Sequence, residues 1–211
     1  MNVLAVLWDV DGTLINSAEQ LFKDCCRAAQ KLGLRIPPRE EFLTVWALPW
    51  AQLLKALWPN ISEEVFNERF EEQSAQAVSG ARRVLLKLKK DGHFLAVISN
   101  RERLSLKERM EHVGMPFGLF DYVQAVDDFE FAKPDPRVFN RALLLLSNRG
   151  IPRSKVIFIG DALADFQAAK EAHIEFVAVL TGGVTKGQFL VAGLNKSHIL
   201  ESVRDLPKFL T

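Results

Sequence analysis

The sequence predicts an α/β fold, a three-layer doubly wound parallel sheet that carries an all-helical insertion after its first strand. Three observations predict this class. Short apolar runs recur along the chain, and they are continuous rather than alternating, as is typical of parallel strands covered on both faces. Helical patterns separate the later runs. Between residues 16 and 79, by contrast, there is no convincing strand pattern.

The predicted strands have the clearest pattern in the sequence. Each run is short and rich in Val, Ile and Phe, and none approaches the length of a membrane-spanning segment. The five predicted strands are Val3–Val10, Phe94–Ser99, Tyr122–Val126, Val156–Gly160 and Phe176–Leu180.

Helical periodicity fills the intervals between these strands. Gly92 and Gly114 directly follow two of the patterns, at the position where a C-terminal helix glycine is expected. Strand and helix therefore alternate, which indicates right-handed crossovers and a doubly wound sheet. The predicted helices of this part are Ala81–Asp91, Leu104–Val113, Asp135–Asn148 and Ala162–Ala172.

The stretch without strands is predicted to be a helical subdomain, which we call the cap segment (residues 16–79). Its first helix, Ala18–Leu32, is amphipathic and ends at Gly33. Phe42–Leu57 is an apolar stretch of the same helical subdomain. A further helix begins at Ser62, a good N-cap followed by two glutamates, and is expected to run to about Val78. The remaining residues, 1–15 and 80–211, form the predicted Rossmann-like core.

Composition limits the possible functions. Of the 211 residues 48% are apolar, and 27 basic residues nearly balance 26 acidic ones, so a nucleic-acid partner is not expected. The first residues lack a basic region followed by a long apolar stretch, so no signal peptide or membrane span is expected. The adjacent Cys25 and Cys26 point different ways on a helix and do not suit a disulfide, which favours a cytoplasmic location.

Polar side chains collect where the predicted strands end. In parallel sheets, ligands bind beyond the carboxyl ends of the strands, so we expect these side chains to meet. Two carboxylates about 4 Å apart repel by roughly 4 kcal/mol at an effective dielectric constant near 20, and several together require cations. Mg²⁺ takes such oxygen ligands together with substrate phosphate. The set comprises Asp9, Asp11, Ser99, Asn100, Asp161 and Asp165, with Lys133 in the loop after the third strand.

Taken singly, each of these residues has an ordinary structural explanation. Asp-Gly sequences favour turns, and Ser99-Asn100 alone is typical of a helix N-cap. Arg101 and Arg103 are predicted to be solvated, with an approach of one of them to substrate as the alternative. Three tryptophans of the cap segment are expected to pack inside it, with an apolar lid over the site as the alternative reading for the first two. They are Trp46, Trp50 and Trp58.

In combination, four fragments resemble the motifs of the haloacid dehalogenase (HAD) superfamily, in its phosphatase branch with a helical cap after the first strand (similar to phosphoglycolate phosphatases). The resemblance covers nearly the whole chain. The fragments are "DVDGT" from Asp9, Ser99, "KPDP" from Lys133, and "GDALAD" with Asp161 and Asp165. Two departures are notable, because Ala162 replaces a common serine and "VWALPW" lacks the glycine and basic residue that several subfamilies use to recognise substrate.

The resemblance implies a role for each matching residue. Asp9 is the implied nucleophile and Asp11 the general acid/base, while Lys133 completes the catalytic set. Backbone N–H groups near Val10 and Gly12 are implied to hold the phosphoryl oxygens, with Ser99, Asn100 and Lys133. The implied Mg²⁺ ligands are Asp9, Asp11 (through its carbonyl), Asp161 and Asp165.

The resulting hypothesis is a Mg²⁺-dependent phosphatase that hydrolyses a small phosphate monoester through an aspartyl-phosphate. The expected partner is a small phosphorylated metabolite, with no nucleic acid and no membrane, and the chain is expected to be a monomer or homodimer. Two alternatives stay open: a sugar-phosphate mutase or phosphotransferase on the same scaffold, and a catalytically silent binding protein. Asp11 argues against dehalogenase chemistry, because a leaving alkoxide needs a proton and a halide does not.

Overall fold

The structure is a computed structural model that describes residues 3–46, 50–71, 73 and 75–210. The described strands are β1 (Ala5–Trp8), β2 (Phe94–Ile98), β3 (Tyr122–Gln124), β4 (Val156–Gly160), β5 (Glu175–Val179) and β6 (Ile199–Leu200). The described α-helices are α1 (Ser17–Lys31), α2 (Arg39–Val45), α3 (Trp50–Leu57), α4 (Glu63–Asn67), α5 (Ala81–Lys90), α6 (Arg103–His112), α7 (Asn140–Asn148), α8 (Leu163–Glu171), α9 (Lys186–Val191) and α10 (Leu206–Leu210).

The strands form one six-stranded parallel sheet in the order β3-β2-β1-β4-β5-β6. The predicted doubly wound α/β fold is therefore confirmed. The first strand lies at the centre, where Trp8 is opposite Val97 on one side and Ile159 on the other. The chain order reverses between β1 and β4, and such a switch point opens a crevice at the carboxyl ends of its two strands.

Alternate residues of β1 enter different apolar clusters, which accounts for the three layers. Val6 and Trp8 pack with side chains of α5, α6 and α10 on one face of the sheet. Ala5 and Leu7 pack with side chains of α7, α8 and α9 on the other face. Since both faces are covered, a strand of this sheet has to be apolar at every position, as the sequence pattern indicated.

The cap segment contains a third apolar cluster made of its own helices. Phe66 is fully buried at its centre, with its ring 4.9 Å from that of Trp58 and 5.9 Å from that of Trp50. The two connections to the sheet run side by side, because Asn16 N–H donates to the Gln76 carbonyl at 2.9 Å. The division into core and cap at residues 16 and 79 stays a prediction.

One predicted element was wrong in extent. The helix expected from Ser62 to about Val78 ends at Asn67, and further along the chain Ala77 forms an antiparallel bridge with Ile15, in the chain that leaves the first strand. The apolar stretch 42–57 contains most of α2 and all of α3, and residues 47–49 between them lie outside the described part. The sixth strand was missed because a two-residue strand shows no periodicity.

Two expectations from composition concern single features of the chain. Cys25 and Cys26 are both free thiols, as their adjacency on one helix predicted. Among the described helices, none combines the length and the apolar character that crossing a lipid bilayer requires.

Replacing Phe66 by alanine should test the apolar cluster of the cap segment. Removal of this fully buried ring should lower the free energy of unfolding by about 3–5 kcal/mol. Val65 is its exposed neighbour, and the Val65→Ala control should change stability by less than about 0.5 kcal/mol. Urea unfolding followed by tryptophan fluorescence measures both, and equal effects of the two substitutions would contradict this packing.

Candidate active site

A cavity of about 460 Å³ opens where β1, β2 and β4 end. It brings together every side chain that the sequence predicted to act by its functional group. These residues are Asp9, Asp11, Ser99, Asn100, Lys133, Asp161 and Asp165, joined by Trp46, Arg101 and Ser105. Asp9 comes directly after β1, and Asp161 directly after the neighbouring β4, so the switch point of the sheet brings these two carboxylates to one edge.

Lys133 connects two of the acidic residues. Its ammonium lies 2.5 Å from Asp9 Oδ1 and 2.7 Å from Asp165 Oδ1, and its side chain is 4% exposed. Burial disfavours the charged form, but the two carboxylates outweigh that effect and raise the pKa of Lys133. The lysine is therefore a fixed positive charge at neutral pH.

Three buried carboxylates share this place with the single lysine. Asp9, Asp161 and Asp165 each offer an oxygen, and the three oxygens lie within 4.8 Å of one another. Burial raises the pKa of Asp9 to about 7, against the opposing pull of Lys133. Burial, with the charge of Asp9, also raises the pKa of Asp161. Such a set of hard oxygen donors with too little positive charge fits a divalent cation of the Mg²⁺ type.

Asp161 is held from three sides. The Thr13 hydroxyl donates to its Oδ1 at 3.2 Å. Gly12, which has φ of 81°, and Gly182 lie so close to its carboxylate that a Cβ at either position would overlap it. Glycine is therefore needed at both positions for close approach. Neither Thr13 nor Gly182 was predicted to be a site residue. Thr13 is the last residue of the "DVDGT" fragment, and Gly182 lies shortly after the predicted strand that ends at Leu180.

Asp165 is positioned as part of the first turn of α8. Its Oδ2 accepts from the N–H groups of Asp161 and Ala162 at 3.2 and 3.1 Å, while Oδ1 faces Lys133. A carboxylate that accepts backbone N–H groups at a helix start is held in one orientation by them. The helix start thus fixes Asp165 at the position where it completes the three-carboxylate set.

The carboxylate of Asp11 lies outside the three-carboxylate set and faces two arginines. Arg101 Nε donates to its Oδ2 at 2.7 Å, and Arg109 Nη2 lies 3.8 Å from Oδ1. Although burial opposes ionisation, Arg101 and then Arg109 hold the pKa of Asp11 below its usual range. Arg101, which is 30% exposed, is therefore only partly solvated. Arg103, also predicted to be solvated, pairs with Asp128 and donates to the Val123 carbonyl at 2.9 Å.

Ser99 and Asn100 end the second strand with different contacts. The Ser99 hydroxyl oxygen accepts the N–H of Arg101 at 3.1 Å and forms part of the cavity wall. The Asn100 side chain binds the Lys133 backbone on both sides, donating to its carbonyl at 2.9 Å and accepting its N–H at 3.0 Å. Asn100 thus positions the lysine, a contact that its predicted phosphate-binding role did not include.

The backbones of Val10 and Gly12, whose N–H groups were predicted to hold phosphoryl oxygens, form part of the turn after β1. Neither belongs to the residues that line the cavity. The Gly12 N–H donates to the Ile15 carbonyl at 2.8 Å, and the Val10 carbonyl accepts the N–H of Leu14 at 2.8 Å. Their backbones are engaged in the tight turn after β1, which the Asp-Gly pair of "DVDGT" favours. The turn aims Asp9 and Asp11 to different sides of the cavity.

The roof of the cavity comes from the cap segment and from the loop after β5. Trp46 lines the cavity, which supports the lid reading for this residue. Gly183 faces the Trp46 indole so closely that a Cβ would overlap its nitrogen. Trp50 packs inside the cap segment and donates to Asn67 at 3.0 Å, as the packing reading expected. Trp58 is buried there as well.

The comparisons with known proteins agree with this geometry. The profile of the haloacid dehalogenase-like hydrolases matches residues 6–179. Protein SUPPRESSOR OF QUENCHING 1, chloroplastic, of Arabidopsis thaliana is 29% identical over 85% of this chain, which spans only 18% of that protein. A phosphoglycolate phosphatase of Pseudomonas putida is 29% identical over 95% of this chain and 77% of its own length. Other relatives are named pyrophosphatase PpaX.

A solved structure extends the likeness to the fold. A HAD-superfamily hydrolase of subfamily IA from Geobacter sulfurreducens superposes with a TM-score of 0.71 at 22% identity. The match covers 100% of this chain and 97% of that one.

The raised pKa values predict how pH changes the stability of the protein without metal. The folded state keeps protons on Asp9 and Asp161 that the unfolded chain, with a carboxyl pKa of 3.8, has released. Stability from Asp9 is therefore present below pH 3.8 and is lost as pH rises through about 7, and Asp161 contributes in the same direction. Between pH 5 and 8, the free energy of unfolding should fall by up to about 1.4 kcal/mol per pH unit for each proton involved.

Urea unfolding in the presence of a chelator measures this slope. Asp161→Asn removes one titrating group and its repulsion of Asp9, so its slope should be shallower and its stability at pH 8 higher than for the unsubstituted chain. A stability that rises with pH in the unsubstituted chain would contradict the shared burial of these carboxyl groups.

Gly183→Ala should test the contact between the loop after β5 and Trp46. The added methyl group must displace the indole and the nearby Leu43 carbonyl, so the roof shifts and kcat/KM should fall roughly 10- to 100-fold. The matched control is Gly187→Ala, whose Cβ finds its nearest atom at 4.0 Å, and it should leave kcat/KM within about twofold. Steady-state kinetics decides, and unchanged kinetics in Gly183→Ala would show that this contact does not position the roof.

Proposed function

Because the chain belongs to the haloacid dehalogenase-like hydrolases, we propose that it is a Mg²⁺-dependent phosphatase that hydrolyses a small phosphate monoester through an aspartyl-phosphate. The family match confirms the predicted hydrolase class, and phosphatase names among the relatives agree with the predicted phosphatase branch. The observation that carries the proposal is the convergence of Asp9, Asp161 and Asp165 with Lys133 in one buried cluster.

Asp9 is the proposed nucleophile. One of its carboxylate oxygens attacks phosphorus while the bond from phosphorus to the ester oxygen breaks, and the phosphoryl group is transferred to Asp9. Lys133 holds Asp9 in place and lowers the repulsion between its charge and that of the phosphoryl group. Asp9, Asp161 and Asp165 would hold Mg²⁺, which when bound supplies the remaining positive charge.

Asp11 is the proposed proton carrier. In the first step its proton passes to the ester oxygen that leaves, and in the second step its carboxylate takes a proton from the water that attacks phosphorus. The second step releases phosphate and restores Asp9. Arg101 keeps Asp11 ionised in this structure, and a bound phosphate ester, being negatively charged, raises the pKa of a nearby carboxyl group. Substrate binding therefore favours the protonated form that the first step needs.

The roof serves the same chemistry by limiting access of water. Trp46 and Gly183 meet above the cavity, so cap and core close on each other beside Asp161. Exclusion of bulk water strengthens the electrostatic interactions of the site and protects the phosphorylated aspartate.

The proposed function also includes a substrate class, a cellular location and an oligomeric state. The substrate is a small phosphorylated metabolite, and the protein acts in the cytoplasm as a monomer or homodimer without a nucleic-acid or membrane partner. A mutase or phosphotransferase would form the same aspartyl-phosphate but pass it to a sugar. Release of one free phosphate per ester consumed, without an activating sugar phosphate, separates the phosphatase from that alternative.

Asp9→Asn and Asp11→Asn should reduce the rate of phosphate release to different extents, because the two residues have different roles in the two steps. With Mg²⁺, Asp9→Asn should abolish phosphate release from every ester, because no nucleophile remains. Asp11→Asn should slow an alkyl phosphate by about 10²–10⁴-fold and an aryl phosphate less, since a phenolate leaves without a proton. Initial rates of phosphate release with and without a chelator measure these effects.

Full activity in Asp9→Asn, or undiminished turnover by the unsubstituted chain in excess chelator, would refute the mechanism. If the unsubstituted chain hydrolysed no ester at all, the silent binding protein would become the better hypothesis.

A further inference from the structure

The loop that carries Lys133 into the site, which we call the lysine loop (residues 129–135), contains neither helix nor strand. Among the described residues, no backbone hydrogen bond involves Phe129, Glu130 or Phe131. The part of the loop that leads to the lysine is therefore not held by its own backbone. Its side chains have to fix it.

Aromatic rings and guanidinium groups hold this part of the loop. The ring centres of Phe129 and Phe131 are 5.2 Å apart, with an angle of 86° between the ring planes. The Arg137 guanidinium carbon lies 3.9 Å from the Phe131 ring centre, and that of Arg141 lies 4.4 Å from the Phe129 ring centre. Both distances suit a cation–π interaction, and the edge-to-face pair of rings joins them. We call these four side chains the arginine–phenylalanine stack.

Both arginines belong to the part of the chain that follows the lysine loop. Arg137 lies in the 3₁₀ turn Pro136–Phe139, and Arg141 lies four residues further on, in the first turn of α7. Arg137 Nη2 donates to Asp135 Oδ2 at 2.6 Å, and Arg141 Nη1 donates to the Asp128 carbonyl at 2.7 Å. Buried side chains of this turn and of α7 pack against the sheet. The guanidinium groups are therefore carried by a fixed part of the fold.

The stack lies close to Lys133 along the chain. Phe131 precedes Lys133 by two residues, with Ala132 between them. Asn100 binds the Lys133 backbone from the inner side of the loop, and the stack holds the preceding residues from the outer side. The Lys133 ammonium lies 2.5 and 2.7 Å from two carboxylate oxygens, so a small displacement of the loop would break these contacts.

We propose that the arginine–phenylalanine stack positions Lys133, by holding the lysine loop at the place from which the ammonium reaches both carboxylates. Of the described residues that line the cavity of the active site, none belongs to the stack. Phe131 and Arg137 are thus positioning residues that act through Lys133. The catalytic consequence rests on the proposed phosphatase function, whereas the position of the ammonium can be measured without any substrate.

A ¹H–¹⁵N spectrum of the lysine ammonium groups tests this position in the protein without substrate. Lys133, buried between two carboxylates, should give a signal protected from exchange with water, and Lys133→Gln identifies that signal by its loss. Phe131→Leu and Arg137→Gln should each shift the signal or broaden it beyond detection. Phe131→Tyr keeps the ring and should leave the signal in place. Arg137→Gln changes an exposed side chain, so it serves if Phe131→Leu fails to fold.

Initial rates with p-nitrophenyl phosphate and Mg²⁺ measure the consequence for the proposed reaction. Phe131→Leu and Arg137→Gln should each lower kcat roughly 10-fold, because a small misplacement of a reacting group is costly. The double variant should lose little more than the worse single variant, since both substitutions remove the same contact. Phe131→Tyr should keep kcat within about twofold.

Arg149→Gln is the matched control. The Arg149 guanidinium carbon lies 4.9 Å from the centre of the Phe94 ring, at the start of β2 and so at the opposite end of this strand from the site. This substitution removes a contact of the same kind and the same charge outside the lysine loop. It should leave both the Lys133 signal and kcat as in the unsubstituted chain.

The outcomes separate the two levels of inference. An unchanged Lys133 signal or an unchanged kcat in Phe131→Leu and Arg137→Gln would show that the stack only covers the surface, and would overturn its positioning role. Equal changes in Arg149→Gln would do the same. If the unsubstituted chain hydrolysed no ester with Mg²⁺, the proposed phosphatase function would fail, and the Lys133 signal would still decide the positioning role.

Discussion

The ion pairs of Lys133 with Asp9 and Asp165 are the constraint on which the arrangement of the site depends. Three loops have to adopt matching positions before the Lys133 ammonium can contact both carboxylates. Asn100, after β2, fixes the Lys133 backbone from both sides, and the start of α8 fixes Asp165. A buried pair of this kind repays the cost of leaving water only when its geometry and hydrogen bonds are complete. The charged contacts of the site are thus also a structural requirement on three separate loops.

The pairing of strands in the sheet brings two like charges together, those of Asp9 and Asp161. Trp8 lies opposite Ile159, so the residues that follow β1 and β4 leave the sheet at the same height. Backbone pairing therefore brings Asp9 and Asp161 close together even though their carboxylates repel each other. Burial and this repulsion raise the pKa of both groups. In the proposed reaction, binding of a cation and of a phosphoryl group uses an electrostatic field that folding has already created.

The sequence predicted the position of a residue well when that position depends only on the strand or helix to which the residue belongs. Continuous apolar runs located five strands, and the ends of those strands located the side chains that share the cavity. The prediction was weaker where a contact joins two elements. Arg101 was expected in solvent because nothing in its neighbourhood along the chain shows that Asp11 lies within reach.

The same limit explains the other differences. The approach of Gly183 to Trp46 depends on the folded positions of residues that are far apart in the sequence. The stretch after Asn67 was expected to be helical because local propensity could not reveal the competing backbone pairing near Ala77. Small residues after the fifth strand, the "TGG" of Thr181 to Gly183, were the one available signal for the roof.

The central place of β1 in the sheet has a consequence for how the chain reaches its folded state. β1 is the first strand made, yet one of its two neighbours is β4, and the bond from Thr13 to Asp161 spans 148 residues. During synthesis this apolar strand keeps an unpaired edge until most of the chain has emerged, which is a hazard for association with other chains. Contacts of such long range also slow folding, so the site is among the last features to form.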